Sequence, residues 1–196
     1  MSELVRYAEA EVPTEYGRVR VVVYQVGEER DEHVALVVGD VAAGDAPVLA
    51  RVHSECWTGE VVRSHKCDCR DQLDRAMSAI SQAGRGVVVY LRQEGRGIGL
   101  GNKVRAYALQ NEGLDTVDAN RLLGFADDAR RYDVAADILR DLGVPRVALM
   151  TNNPGKVRGL EAGGIQVAER VALRAEPNEH NAEYLAVKAR KMGHSL

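Results

Sequence analysis

All three cysteines of the chain fall within fourteen residues, as Cys56 followed by Cys67-Asp68-Cys69. Three thiols cannot all be paired in disulfides. Their surroundings are polar: Arg51, His53, Glu55, Arg63, His65, Lys66, Asp68, Arg70 and Asp71. A buried free cysteine behaves as a small hydrophobe, but so charged a segment is a poor lining for an apolar core. The cysteines therefore read as metal ligands. A structural zinc site takes four protein ligands, whereas a catalytic site takes three and leaves one position to water. With no fourth cysteine, the pattern predicts a metal with an open position. His65 is expected at the surface or behind the ligands rather than among them.

Three other segments carry chemistry. Arg92 to Gly101 is a glycine-rich loop holding Glu94 and Arg96, and backbone N–H groups free of side chains can approach an anion closely. Gly95-x-Gly97-x-Gly99-x-Gly101 is neither the Walker pattern nor G-x-G-x-x-G, so alone it weighs equally as a flexible turn. Asp127-Asp128-Ala129-Arg130-Arg131 joins acid to base; taken by itself it reads as a helix N-cap plus surface charge. Thr151-Asn152-Asn153-Pro154-Gly155-Lys156 follows an apolar run, at the carboxyl end of a strand where open α/β sheets bind ligands. Thr151 and Lys156 suit an anionic group there, although helix capping would also explain Thr151 or Asn152.

The elements that must position these residues are legible from periodicity. Residues 18–24, 34–38 and 47–52 read as strands separated by acidic and Gly-rich turns, giving a β-rich, largely antiparallel first third. Leu73, Met77 and Ile80 mark an amphipathic helix ending at Gly84. Residues 86–91 form a continuous apolar run, expected of a strand buried on both faces. A helix through Lys103 and Tyr107 to about Glu112 follows the glycine-rich loop. Val134, Ala135, Ile138, Leu139 and Leu142 define another helix, 146–150 a strand, Pro154 the start of a further helix, and 165–168 a last strand. A terminal helix is expected around Tyr184, Leu185, Lys188 and Met192, stopped by Gly193. Helix–strand alternation after residue 70 predicts an α/β fold with a mixed β-sheet covered by helices. No internal repeat or linker is seen, so residues 1–196 are expected to form a single unit.

Composition agrees with a globular chain: 45% hydrophobic and 28% charged residues over 196 positions. No stretch approaches the length needed to cross a bilayer, and the first residues lack the pattern of a signal peptide. Unpaired cysteines without an export signal point to a reducing cytoplasm. The net charge of −3 is uneven, with 17 Lys/Arg against 14 Asp/Glu from Arg51 to Arg158, and 9 against 15 in the flanks. A mildly basic middle fits a local anionic ligand better than the broad basic face that nucleic acid requires.

Taken together, Arg51-Val-His-Ser-Glu55-Cys56, Cys67-Asp-Cys69, Arg92-Gln-Glu94-Gly-Arg96-Gly-Ile-Gly-Leu, Asn102-Lys-Val-Arg-Ala-Tyr107-Ala-Leu-Gln, Gly124-Phe-Ala-Asp-Asp128-Ala-Arg130 and Thr151-Asn-Asn-Pro-Gly-Lys156 resemble GTP cyclohydrolase II, in that family's order and over nearly the whole chain. Lys191-Met192-Gly193-His194 is similar as well. The resemblance implies opening of the guanine imidazole ring of GTP with release of formate and pyrophosphate, giving 2,5-diamino-6-(5-phosphoribosylamino)pyrimidin-4(3H)-one at the entry to riboflavin synthesis or a related specialised pathway. It implies zinc on Cys56, Cys67 and Cys69, and nucleotide contacts from Arg51, Val52, His53, Ser54, Glu55, Gln72, Glu94, Gly95, Arg96, Thr116, Thr151 and Lys156. Asp128 would be the general base, Arg130 the nucleophile at the α-phosphate, and Tyr107 a support for ring opening. A magnesium ion would accompany the triphosphate. A homodimer is implied, in a stand-alone form without a fused synthase domain.

General chemistry supports this reading. Zinc lowers the pKa of a bound water towards roughly 7; three thiolates weaken that effect, so a nearby acid or base such as Glu55 or Tyr107 should assist. Arginine stays protonated in proteins, which leaves a purely electrostatic Arg130 as the rival to a nucleophilic one. The chain departs from the usual family pattern at Trp57, at His65-Lys66 and at Arg70-Asp71, all in the metal loop and none at a ligand. Two other readings fit the sequence less well. A zinc nucleobase deaminase would need H-x-E with P-C-x-x-C, of which His53-Ser54-Glu55 is only a partial echo. A non-catalytic zinc-stabilised nucleotide sensor would have no use for Asp128, Arg130 and Tyr107 together. A paralogue stopping at a formylated intermediate is disfavoured by Tyr107.

Overall fold

The apolar run of residues 86–91 lies in the middle of a sheet. The computed structural model describes residues 4–28, 31–112, 114, 116–126 and 128–173; the expected C-terminal helix and Asp127 lie outside these. Among the described residues the strands are β1 (Leu4–Thr14), β2 (Gly17–Val26), β3 (Asp31–Val38), β4 (Val48–Ser54), β5 (Gly86–Leu91), β6 (Arg146–Met150) and β7 (Gln166–Val171). They make one seven-stranded sheet in the order β1-β2-β3-β5-β4-β6-β7. β1, β2 and β3 are an antiparallel meander that joins β5 antiparallel, while β5, β4, β6 and β7 run parallel. The fold is therefore the expected α/β class with a mixed sheet.

Parallel strands need helical crossovers, and these bury both faces of the sheet. α2 (Cys69–Ala83) places Ala76, Met77 and Ile80 with Val19, Val88 and Met150 on one face. α5 (Asp133–Asp141) and α6 (Pro154–Ala162) cover the other, where Ile138, Leu139 and Leu160 pack with Val52, Val87, Val89 and Leu149. Val88 thus faces one layer and its neighbours Val87 and Val89 the other, which is why β5 shows no polar alternation. α3 (Leu100–Asn111) follows a 3-10 turn at Glu94–Gly97, and α4 (Thr116–Leu122) packs against α3. A single turn, α1 (Trp57–Glu60), lies between the first two cysteines.

Two elements differ from the expectation. β1, an eleven-residue edge strand, is exposed along nearly all its length, so its sequence carries no contrast between an inner and an outer face. α4 is the second, a helix of seven residues too short to show a helical period in the sequence. The helix at 154 starts as expected with proline in its first turn, but its cap is Asn153, whose side chain accepts the Gly155 N–H at 2.7 Å. Because Leu139 is fully buried in the larger core, Leu139→Ala is expected to cost about 2–5 kcal/mol, read from the shift of the urea unfolding midpoint at unchanged slope.

Candidate functional site

Strands β4, β5 and β6 run parallel and end side by side, at Ser54, Leu91 and Met150. The chemistry-bearing segments 55–60, 92–97 and 151–156 leave from those three ends. One rim of the sheet therefore gathers residues that are about 100 positions apart in the chain.

The cysteines meet there. Cys56 precedes α1, Cys69 opens α2, and the three sulfurs lie within 4.8 Å of one another. Cys56 and Cys67 are 3.6 Å apart, Sγ to Sγ. Tetrahedral zinc with Zn–S near 2.3 Å requires sulfurs roughly 3.8 Å apart, so the spacing fits that ion. Gly59 leaves room for the cluster: a Cβ on it would sit 2.9 Å from Cys67 Sγ and 3.2 Å from Cys56 Sγ. The thiols perturb one another. Contact with Cys67 and then Cys69 holds Cys56 far below its ordinary pKa, while contact with Cys56 pushes Cys67 up and Cys69 well up.

Buried polar groups brace this loop. Glu60 accepts from Cys56 N–H at 3.0 Å and from Tyr90 OH at 2.6 Å, and its carboxylate lies 2.8 Å from His53 Nε2. Glu94 accepts from the N–H groups of Trp57 at 2.5 Å and Gly95 at 2.7 Å. Its remaining contact is Lys103 Nζ at 2.7 Å, which also donates to Cys56 Sγ at 3.1 Å. Burial would lower the Lys103 pKa, but Cys56 and Glu94 raise it further, so the side chain is an ammonium. Tyr107 OH lies 3.4 Å from Thr58 Oγ1, itself 3.8 Å from Cys56 Sγ. Burial pushes the Tyr107 hydroxyl up to about 12, which keeps it protonated at neutral pH.

Next to the thiols lies a basic group of side chains. Arg51 is buried; it donates through Nη1 to the Met150 carbonyl at 2.8 Å and bonds Gln72 Oε1 through Nη2, and Gln72 in turn donates to Asp68 at 2.5 Å. Asp68 lies between Cys67 and Cys69 and Met150 precedes Thr151, so the bonds of Arg51 and Gln72 link the thiol loop to the 151–156 turn. Arg130 grips Asp128 with a fork of bonds at 2.8 and 2.6 Å. Burial opposes ionisation of Asp128, but the bonds and charge of Arg130 outweigh it and hold the carboxyl below its usual value. Arg130 and Lys156 each lie 5.9 Å from the Tyr132 ring. Arg96 joins them through its backbone: its carbonyl accepts from Ala129 N–H at 3.1 Å, and it adopts φ 62°, a conformation uncommon outside glycine. Gly97 is needed at that crossing, since a Cβ there would lie 3.1 Å from the Ala129 oxygen.

The rim thus brings together most of the residues named from sequence. Val52 accepts from Lys156 Nζ at 2.7 Å through its carbonyl, Ser54 Oγ accepts from Gln93 Nε2 at 2.9 Å, and Thr151 Oγ1 accepts from Asn153 N–H at 3.0 Å. Glu55 lines a cleft of about 1000 Å³ with Trp57, Arg92, Glu94 and Leu100, and burial raises its pKa. Thr116 is the first residue of α4. The reading of 127–131 as cap and surface charge holds for Arg131, which pairs with Asp133, but not for Arg130, whose side chain is 13% exposed. His65 is exposed. Two of the departures from the family pattern brace the loop: Lys66 Nζ donates to Asn111 at 2.8 Å, and Arg70 reaches Asp74 at 3.3 Å and the Glu60 carbonyl at 3.4 Å. Sequence reasoning missed Glu60, Lys103 and Tyr132. Glu60 and Tyr132 sit in no spacing pattern; Lys103 lies inside the Asn102–Gln110 motif and shares one face of a helix with Tyr107, four residues on.

Residues 5–172 match the family described as GTP cyclohydrolase II. A GTP cyclohydrolase-2 of Pasteurella multocida is 53% identical over 196 residues, covering all of this chain and 90% of that protein. A GTP cyclohydrolase-2 of Histophilus somni is 55% identical with the same coverage. The riboflavin biosynthesis protein RibBA of Bacillus velezensis is 53% identical over 191 residues, which is 97% of this chain and 48% of that one.

The contacts of Gly59 make a direct test. Gly59→Ala is expected to lower the zinc content of the purified protein sharply, by atomic absorption, because the new methyl competes with the sulfurs for space. Gly101→Ala, whose methyl meets nothing within 4 Å, is expected to leave zinc content unchanged.

Proposed function

The chain belongs to the GTP cyclohydrolase II family of riboflavin biosynthesis, and we propose that its own reaction opens the imidazole ring of GTP and releases formate and pyrophosphate. The observation that carries this reading is a three-thiol cluster joined to the strand ends that bear the basic side chains by the bonded chain Asp68–Gln72–Arg51–Met150.

Cys56, Cys67 and Cys69 would hold zinc, which when bound supplies Lewis-acid activation of water for attack on the guanine ring. The chain's residues do the rest. Tyr107, protonated and two contacts from Cys56, is placed to donate a hydrogen bond as charge develops during ring opening. Glu55, with its pKa raised by burial, is placed to exchange protons at the same end. His53 is buried and held by Glu60, so it fixes the strand end that carries Ser54 and Glu55.

At the other end Arg96, Arg130 and Lys156 receive the phosphates, with a magnesium ion accompanying the triphosphate. Thr151, in its buried turn before α6, and Thr116 complete the nucleotide contacts. Arg51 and Gln72, bonded to each other, hold the distance between the two ends. Asp128 binds two nitrogens of Arg130, so proton acceptance and orientation fall on one contact. That contact presents the guanidinium to the α-phosphate in a fixed direction. Glu94 and Gly95 shape the loop from beneath. Among the described residues no helix is long and apolar enough to cross a membrane. The working form is read as a cytoplasmic homodimer, with residues 1–196 acting as one unit.

Incubating the zinc-loaded protein with GTP and magnesium is expected to yield formate and pyrophosphate in equal amounts. Pyrophosphate without formate would mean a truncated reaction, and neither product would overturn the assignment. Arg130→Ala is expected to abolish pyrophosphate release while zinc stays bound; unchanged release kinetics would remove Arg130 from the chemistry. Cys67→Ser is expected to lose zinc and ring opening together, since the ligand set has no spare.

A further inference from the structure

Lys103 lies 47 positions from Cys56 in the chain, on α3, yet its Nζ is the nearest cation to any of the three sulfurs among the hydrogen bonds of this loop, 3.1 Å from Cys56 Sγ. The other partner of that Nζ is Glu94 Oε1 at 2.7 Å, and the two side chains are 13% and 7% exposed. Glu94 is itself immobilised, because the backbone N–H groups of Trp57 and Gly95 fill its other acceptor positions. A long, flexible side chain is thereby given one position, against a sulfur.

Three thiolates around a divalent zinc leave one excess negative charge. A sulfur that donates all its electron density to the metal blunts the Lewis acidity needed for hydrolysis. An N–H···S hydrogen bond from an ammonium withdraws density from that sulfur, and groups behind the ligands tune metal sites in this way. We propose that Lys103 is a positioning residue of the metal centre: its ammonium, anchored by Glu94, donates to Cys56 Sγ and sets how strongly that sulfur donates to the metal. The inference rests on the three-cysteine zinc site proposed above and goes beyond it. It gives a role to a residue outside both the ligand set and the nucleotide contacts, and it accounts for a buried ion pair beneath the loop.

Cobalt(II) substituted for zinc tests it, because the energy of the sulfur-to-cobalt charge-transfer band reports the electron density on sulfur. Lys103→Met is expected to move that band to longer wavelength, and Lys103→Arg to return it towards the wild-type position. In the zinc enzyme, Lys103→Met is expected to lower kcat for formate release by about 10–100-fold, with KM for GTP little changed. If Lys103→Met fails to hold cobalt while Lys103→Arg holds it, the requirement for charge stands. A Lys103→Met band at the wild-type wavelength overturns the proposal. So does equal loss of cobalt from both variants, which would mark Lys103 as packing alone. A wild-type protein that binds no cobalt would instead overturn the metal assignment, and this inference with it.

Discussion

Three sulfurs within 4.8 Å of one another cannot all carry charge unless a cation sits among them. This constraint organises the rim of the sheet. Without a cation, charge on one sulfur opposes charge on its neighbours, which holds Cys56 low and pushes Cys69 up. Metal binding must therefore release protons, and the energy gained is shared with the fold of the loop. The chain contributes on every side of the cluster: the missing side chain of Gly59, the Cys56 N–H fixed by Glu60, and the Lys103 ammonium against Cys56 Sγ.

The sheet delivers that cluster beside a group of basic side chains. β4 is the central connection. Its register with β5 pairs Ser54 with Leu91, which aligns the exits to the cysteine loop and to the Glu94–Gly97 turn. Its pairing with β6 lets Arg51 reach the Met150 carbonyl and Lys156 reach the Val52 carbonyl. Each of these buried cations has a backbone oxygen among its partners, which lowers the cost of burying its charge. They tie the cysteine loop and the basic side chains to one strand, so the spacing between them is set by the sheet rather than by loops.

The parts legible in the sequence were those with local signatures. Cysteine spacing, the apolar run of β5 and the proline start of α6 are each contained in a few residues. The resemblance spread over six motifs supplied the family. What stayed hidden is carried by contacts between distant positions. Glu60 reads as one acid among many until Tyr90, 30 residues on, and His53 are seen bonded to it. Lys103 looks like an ordinary helix surface residue, and Tyr132 like a helix-entry aromatic, until the basic side chains are found around its ring. Glu94, which the resemblance makes a nucleotide contact, also has both carboxylate oxygens engaged by protein donors, bonds of which its sequence gives no sign. β1 left no signal because an exposed edge strand has no inner face to mark.

The central claim is a metal held by three sulfurs with one position left open, and zinc K-edge X-ray absorption of the purified protein addresses it most directly. The account predicts three sulfur neighbours near 2.3 Å and a single light atom near 2.0 Å per zinc. A shell of four sulfurs, a shell of nitrogen and oxygen only, or protein purified and reconstituted without any bound zinc would contradict it.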